Sequence, residues 1–185
     1  MLNTSALAEQ AVLRTGRLRL EQLGPQHFDS TWQYLQDEEG RRLTGTHQDF
    51  TEDAVLKFLT ALPRNDERAD WAVIRQEDGA HIGEVVLNDL DEDNRSMNFR
   101  IGLADGGVRG QGYGTEATRA VVAYAFDVVG LHRLSLGVYS FNPRAQRVYE
   151  KVGFVREGMS RDALLWNGQW HDEVIMGMLS TDARL

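Results

Sequence analysis

Hydrophobic and polar positions follow two different periods along this chain. Alternation at every second residue predicts strands over 17–23, 71–76, 81–88, 95–104 and 132–139, and then two strands joined at Asn167-Gly168. Apolar residues three and four apart predict helices after Pro25 and over 51–62, 114–128 and 142–153. Residues 1–15 show no firm period, and we expect them to form a loose lead.

The order of elements is strand, two helices, three strands, helix, strand, helix and two strands. This interleaving predicts a mixed α/β class, and we expect one domain over 16–185 because no repeat or linker divides it. The segment over 95–139 permits one parallel strand pair with a right-handed crossover. A ligand at the start of its helix would lie at the carboxyl ends of the strands.

The glycine loop, Arg109-Gly110-Gln111-Gly112-Tyr113-Gly114, opens the helix predicted over 114–128. Glycine allows a positive φ and close approach to a ligand, and the first amides of a helix attract phosphate. A P-loop is disfavoured because Tyr113 stands in place of its lysine. A dinucleotide fingerprint is disfavoured because Thr115 replaces its third glycine. We therefore expect another phosphorylated ligand, with a glycine loop that binds nothing as the alternative.

Composition narrows the chemistry further. The 185 residues include no cysteine, which excludes disulfides, thiolate metal sites and a cysteine nucleophile, and we predict no metal. A net charge of -8 argues against a nucleic-acid partner, and its acidic clusters would suit a cationic amine. No apolar run approaches the roughly 18 residues that cross a bilayer, and no secretion signal opens the chain. We therefore expect no membrane partner and a cytoplasmic location.

Two motifs carry a family resemblance. Arg109-x-x-Gly112-x-Gly114 is similar to the pyrophosphate-binding signature of the GNAT superfamily of acetyl-CoA-dependent N-acetyltransferases. Asn142-Pro143-x-Ala145-x-x-x-Tyr149-x-x-x-Gly153-Phe154 resembles the second conserved block of that family. The resemblance implies a central twisted, mostly antiparallel sheet with helices on both faces. It also implies one parallel strand pair, which splays apart at the acetyl-CoA site.

A narrower resemblance points to the RimJ/RimL-like branch. Its supporting segments are Arg17-Leu18-x-Leu20, Gly110-x-Gly112-Tyr113-Gly114-Thr115-Glu116-Ala117 and Asn167-Gly168-Gln169-Trp170-x-Asp172. That branch includes acetyltransferases of ribosomal-protein N-termini, and it also contains polyamine and aminoglycoside acetylating relatives. The resemblance therefore implies a class of reaction without fixing the acceptor.

The resemblance also implies roles for particular residues. Acetyl-CoA would be held by three groups: Gly102, Leu103 and Ala104 on the pantetheine arm; Val108, Arg109, Gly110, Gln111, Gly112, Tyr113, Gly114 and Thr115 on the pyrophosphate; and Asn142, Arg144, Ala145 and Arg147 beyond them. Tyr149 would protonate the departing thiolate. Many relatives carry a glutamate base on the strand before the loop, but 97–101 lacks a carboxylate, so Glu84 is our candidate, with His81 and His132 as alternatives. The acceptor would contact residues of the first helices and the late hairpin, namely Trp32, Asp37, Glu38, Glu39, Trp166 and Trp170.

These inferences converge on an N-acetyltransferase that uses direct attack in a ternary complex. The predicted acceptor is a protein or peptide N-terminal α-amine, and a polyamine or aminoglycoside is the alternative. A catalytically silent module that senses CoA is the alternative of another class. A homodimer is left open.

Overall fold

The computed structural model describes residues 2–104 and 107–184. Within these residues the strands are β1 (Leu13–Arg14), β2 (Leu18–Gln22), β3 (Ala69–Arg75), β4 (His81–Asp91), β5 (Ser96–Leu103), β6 (Arg133–Tyr139), β7 (Val155–Trp166) and β8 (Gln169–Leu179). The helices are α1 (Ser5–Ala8), α2 (Phe28–Leu35), α3 (Glu38–Thr44), α4 (Glu52–Ala61), α5 (Tyr113–Tyr124) and α6 (Pro143–Val152). None of these helices is both long and apolar enough to span a bilayer.

The eight strands form one sheet in the order β1-β2-β3-β4-β5-β6-β8-β7. Neighbouring strands are antiparallel except β5 and β6, which are parallel. These two strands pair only where Ser96, Met97 and Asn98 face Arg133, Leu134 and Ser135. Both strands continue well beyond this pairing, so their carboxyl ends diverge. The predicted mixed α/β fold, with a mostly antiparallel sheet and one splayed parallel pair, is confirmed.

Helices cover both faces of the sheet. Alternate residues of a strand point to opposite faces, and β3 shows this directly. Trp71 and Val73 pack in the larger core with residues of α5 and α6. Ala72 and Ile74 pack in a second core with α4, and residues of α2 pack against it. The sheet is therefore held from both sides, which fixes the position of its splayed end.

Residues 2–15 differ from the loose lead that we expected. Leu7 on α1 is fully buried in the larger core. The Tyr124 hydroxyl donates to the carbonyl of Ala6 at 2.7 Å, and the amide of Asn3 donates to the carbonyl of Val129 at 2.8 Å. A helix of four residues is too short to show a period in the sequence, so only its packing reveals it.

Helix α3 was also missing from the sequence prediction. Its seven residues are mostly polar and show no apolar stripe. Asp37 caps it, since the carboxylate accepts a hydrogen bond from the amide of Gly40 at 2.9 Å. Gly45 ends it with a φ of 64°, which glycine adopts without steric cost. The helix therefore owes its bounds to its caps.

Candidate active site

A cleft of about 480 Å³ opens where β5 and β6 diverge. Thirteen residues predicted for the site from the sequence lie along it: Glu84, Gly102, Leu103, Arg109, Gly110, Gly112, Gly114, Thr115, Asn142, Arg144, Ala145, Arg147 and Tyr149. These residues come from β4, β5, the glycine loop, the start of α5 and α6. The structure therefore brings the predicted donor site and the predicted catalytic pair into one cavity.

The glycine loop presents its backbone to this cleft. Gly110 and Gly112 both have a φ of 86°, a left-handed conformation that side chains other than glycine rarely adopt. Gly112 is the N-cap of α5 and has no side chain that could accept a hydrogen bond. No cap side chain therefore occupies the amides of Tyr113, Gly114 and Thr115. Such amides at a helix N-terminus bind phosphate oxygens. The loop therefore fits the pyrophosphate of a CoA molecule.

Side chains behind the loop hold it in place. Arg17 donates to the Glu116 carboxylate at 2.8 Å and to the Gln111 carbonyl at 2.9 Å. Its guanidinium carbon also lies 4.5 Å from the centroid of the Tyr113 ring. Gln111 and Tyr113 therefore have contacts on the side away from the cleft, and Val108 is buried in the larger core. These three predicted residues support the loop.

Arg109 connects the loop to the opposite wall. Its Nε donates to the Leu103 carbonyl at 3.1 Å, and its guanidinium contacts the Asp37 carboxylate at 2.9 Å. Asp37 is also the N-cap of α3. A residue predicted for the acceptor site is thus joined by an ion pair to one predicted for the donor site.

The end of β5 divides its backbone groups between two neighbours. The amide of Ala104 donates to the carbonyl of Ile82 on β4 at 2.9 Å. Because an antiparallel strand alternates its hydrogen-bonding side, Gly102 also faces β4, whereas Ile101 and Leu103 face the diverging β6. Of the three amides predicted for the pantetheine arm, that of Leu103 therefore points into the splay. Ile101, which the sequence prediction omitted, points the same way.

Helix α6 forms the other side of the cleft. The Asn142 side-chain oxygen accepts from the amide of Ala145 at 3.1 Å, which leaves its amide nitrogen for a ligand. Arg144 and Arg147 lie exposed along the cleft, as cations near phosphates would. Tyr149 is only 6% exposed and packs edge-on against Phe99 and Phe154.

The Tyr149 hydroxyl has no hydrogen-bond partner among residues 2–104 and 107–184. Burial raises the pKa of its phenol above the ordinary value, and Tyr34 raises it further. The hydroxyl is therefore protonated at neutral pH and can donate to a group in the cleft.

Glu84 lies on β4 at the inner end of the cleft. Its carboxylate accepts a hydrogen bond from the Thr31 hydroxyl at 2.8 Å. Burial raises the pKa of Glu84 to about 7, the charge of Asp70 adds to the rise, and the Thr31 hydrogen bond, Arg100 and Arg68 oppose it. A carboxylate with this pKa can take up a proton near neutral pH and release it again.

Tyr34 is the main cleft residue that sequence reasoning missed. It follows Thr31 by one turn of α2, so both side chains reach the Glu84 side of the cleft. Burial, followed by the charge of Glu84, raises the pKa of Tyr34 to about 12. The helical apolar stripe of Phe28, Trp32 and Leu35 was visible in the sequence, but its neighbour Tyr34 belongs to no motif. Only the packing of α2 on β4 and β5 shows its place.

The two histidines that we considered as alternative bases lie elsewhere. The His81 ring contacts the Ser30 hydroxyl at 2.6 Å and the Gly83 carbonyl at 2.9 Å, and burial lowers the pKa of His81 to about 4. His132 lies 3.4 Å from the Ser180 hydroxyl. Neither residue lines the cleft as the described residues form it. Within the same residues, no group of three or more His, Asp or Glu side chains could hold a metal ion.

None of the six residues predicted for the acceptor side lines the cleft as the described residues form it. Trp32 stacks with Phe28 against the second core. Trp166 packs on His47 with ring centroids 4.8 Å apart, and the Trp170 side chain is 59% exposed at the hairpin.

The acidic residues of α3 are also engaged or directed outward. Glu39 pairs with Arg42 at 2.8 Å, and this contact lowers the pKa of Glu39. Glu38 is exposed in the first turn of α3. The described wall of the cleft instead contains Tyr34, Leu43, Arg100, Tyr139 and Glu173, none of which a motif indicated.

Comparisons with known proteins agree with this geometry. A family model described as an acetyltransferase (GNAT) domain matches residues 17–155. YjcK of Bacillus subtilis, named as a probable N-acetyltransferase, is 35% identical over 117 residues, which are 63% of this chain and 65% of YjcK. YdaF of the same organism, provisionally named as a ribosomal N-acetyltransferase, is 33% identical over 105 residues, 57% of each protein. This chain thus spans less than two thirds of either relative's length.

A solved structure shows the same fold. The crystal structure of spermidine N-acetyltransferase from Vibrio cholerae in complex with CoA and spermine has a TM-score of 0.83 and 22% identity, covering 90% of this chain and 98% of that one. The name of YdaF agrees with the resemblance to the RimJ/RimL-like branch. Because the family model spans most of the sequence and the cleft fits a CoA donor, this chain belongs to the GNAT acetyltransferase family.

Proposed function

We propose that this chain is an acetyl-CoA-dependent N-acetyltransferase whose acceptor is the N-terminal α-amine of a protein or peptide. The observation that carries the proposal is that Glu84 and Tyr149 line one cleft with the glycine loop. The loop and α6 would hold the donor through Gly112, Gly114 and Asn142. The cleft would thereby supply a base, an acid and a donor site for acyl transfer.

The reaction that we propose is direct attack by the amine. Glu84 accepts the proton that the amine loses, and the Leu103 amide is placed to donate to the thioester oxygen as charge develops there. Tyr149 donates its proton to the departing sulfur. The backbone of Gly112, Tyr113 and Gly114 orients the donor so that its reacting end lies at the splay.

The pKa of Glu84 favours an α-amine as the acceptor. An α-amine has a pKa of about 8, whereas an alkyl amine has a pKa near 10.4, so a base with a pKa of about 7 matches the α-amine better.

A polyamine acceptor is the second candidate, because the fold matches a solved spermidine N-acetyltransferase at a TM-score of 0.83. The aminoglycoside acceptor and the silent CoA sensor remain alternatives with no further support. The cytoplasmic location, the homodimer and the single domain over 16–185 stay predictions.

The experiment is a thiol-release assay with acetyl-CoA and three acceptor sets: N-terminal peptides, polyamines and aminoglycosides. We expect turnover with peptides, and mass spectrometry should place the acetyl group on the α-amine. Faster turnover with spermidine would replace the acceptor that we propose. Calorimetric binding of acetyl-CoA without turnover of any amine would favour the sensor.

A further inference from the structure

Tyr34 occupies the space above Gly102, at the point where the strands diverge. A Cβ built on Gly102 would collide with the Tyr34 hydroxyl oxygen, so this oxygen rests directly on the backbone of β5. Gly102 is one residue from Leu103, whose amide points into the splay. The hydroxyl therefore lies beside the place where the thioester and the amine would meet.

The same hydroxyl lies on the Glu84 side of the sheet. Gly102 and Glu84 are direct partners across β4 and β5. Residues directly opposite in an antiparallel pair present their side chains on the same face, about 5 Å apart. The Glu84 side chain and the space above Gly102, which Tyr34 fills, are therefore neighbours on one face.

Tyr34 and Glu84 both retain capacity for further hydrogen bonds. Thr31 uses one oxygen of the Glu84 carboxylate, and a carboxylate has two oxygens that accept. The Tyr34 hydroxyl has no hydrogen-bond partner within the part of the chain that the structure describes. A phenol both donates and accepts, so Tyr34 can accept from one group while it donates to another.

We propose that, when the amine binds, the Tyr34 hydroxyl, which has no partner in the described part of the free chain, bridges the amine and Glu84 and passes the proton of the amine to that carboxylate. This proposal rests on the acetyltransferase function proposed above. Tyr34 would contact the reacting amine and is therefore a catalytic residue, which relays the proton to Glu84. Its role explains how Glu84, on β4, can serve an amine that attacks beside β5.

The atoms balance in this scheme. As the amine nitrogen bonds to the carbonyl carbon, its N–H proton moves to the Tyr34 oxygen, and the Tyr34 O–H proton moves to the Glu84 carboxylate. The carbon–sulfur bond breaks, and the sulfur takes the proton of Tyr149. Tyr34 ends neutral, as it began. After products leave, Glu84 loses its proton to water and Tyr149 regains one.

The electrostatics of the cleft are compatible with this bridge. The pKa of Tyr34, about 12, keeps the phenol neutral at working pH, so it transfers protons without ionising. The groups that act on Glu84 besides the α2 side chains are Asp70 on β3, Arg68 just before β3 and Arg100 on β5. Their net effect with burial leaves the pKa of Glu84 near 7, so the carboxylate accepts a proton readily.

The test is a double-mutant cycle with Tyr34→Phe and Glu84→Gln. We expect Tyr34→Phe to lower kcat about 10²-fold while the calorimetric Kd for acetyl-CoA stays unchanged, because only proton transfer is lost. The double variant should be no slower than the slower single variant, since both lie on one proton path. The acidic limb of the pH–rate profile should flatten in Tyr34→Phe, which a merely structural role would not produce.

Tyr139→Phe is the matched control, because it removes another phenol hydroxyl from the same cleft. In the double variant with Glu84→Gln, the fold-losses of kcat from the two substitutions should multiply, because they act independently. Suppose that the wild type is active. If the effects of Tyr34→Phe and Glu84→Gln on kcat also multiply, or if Tyr34→Phe leaves kcat unchanged, the proton bridge is wrong while the proposed function stands. If the wild type binds acetyl-CoA and acetylates no amine, both the function and the bridge are overturned.

Discussion

On the donor side of the cleft, the groups offered to a ligand come from two short segments, namely the backbone amides of the glycine loop and the side chains at the start of α6. On the acceptor side they are side chains from distant elements, and the Thr31–Glu84 hydrogen bond joins residues 53 positions apart. Backbone geometry depends on local glycine and cap residues, so a motif can encode it. Side-chain constellations depend on how α2 packs on β4, which no contiguous motif encodes.

We expect the largest effect from a substitution in the glycine loop that disrupts acetyl-CoA binding. Gly112→Val places a β-branched residue at a φ of 86°, where it is strongly disfavoured, and it should displace the first amides of α5. We expect acetyl-CoA affinity to fall about 100-fold or more in calorimetry. Gly79→Val is the matched control, because Gly79 has a φ of 73° in the turn between β3 and β4, and a Cβ there meets no neighbour. Equal losses in both variants would show a general folding defect.

Tyr149→Phe distinguishes binding of acetyl-CoA from the chemical step. The ring keeps its packing against Phe99 and Phe154, so Kd for acetyl-CoA should change less than twofold. Loss of the proton donor should lower kcat by about 10²- to 10³-fold, the usual scale for general acid catalysis. Thiol release under saturating substrates provides the measurement. A kcat equal to that of the wild type would remove Tyr149 from the mechanism.

Glu84→Gln tests the acceptor side through pH. In the wild type we expect kcat/KM to rise with pH through about 7, as Glu84 loses its proton and becomes a base. The variant should lose this limb and keep a low rate across the range. Gln retains an oxygen for the Thr31 hydroxyl, so a change in structure should be small.

Glu84→Gln should lower activity but raise the stability of the folded chain at high pH. Folding raises the pKa of Glu84 from 4.5 to about 7. The protonated carboxyl therefore contributes to the free energy of unfolding in full below pH 4.5, and this contribution is lost as pH rises through 7. Gln cannot ionise, so we expect the variant to have a Tm several degrees above that of the wild type at about pH 8. Near pH 4 the two should agree. A variant less stable at the higher pH would contradict the raised pKa.

The smallest effect concerns the contact between the two sides. Asp37→Ala removes the cap of α3, which typically costs about 1 kcal/mol, and releases Arg109 from its ion pair. We expect a Tm lower by about 2–4 °C and acetyl-CoA affinity several-fold weaker. Glu38→Ala, in the same helix turn but exposed, is the control and should change neither. Unchanged affinity in Asp37→Ala would show that the two sides act independently.

The mixed α/β fold and its element order followed from periodicity, and the splayed pair from the resemblance. Prediction failed where the chain lacks a period: α1 is too short, and α3 depends on its caps Asp37 and Gly45. Trp32 and Trp166, which we predicted for the acceptor site, do not line the described cleft, because an aromatic residue in the sequence does not reveal which face it packs on. Trp32 lies in the second core, and Trp166 lies against His47.

The sequence by itself determined the glycine loop and the capped start of α6, because left-handed φ angles and cap hydrogen bonds are set by residues close in the chain. Tertiary structure alone decided that Ile101 and Leu103 face the splay, that Arg109 pairs with Asp37, and that Tyr34 rests on Gly102 beside Glu84. These contacts join segments tens of residues apart. Burial at that junction also raises the pKa of Glu84, and a sequence contains no record of burial.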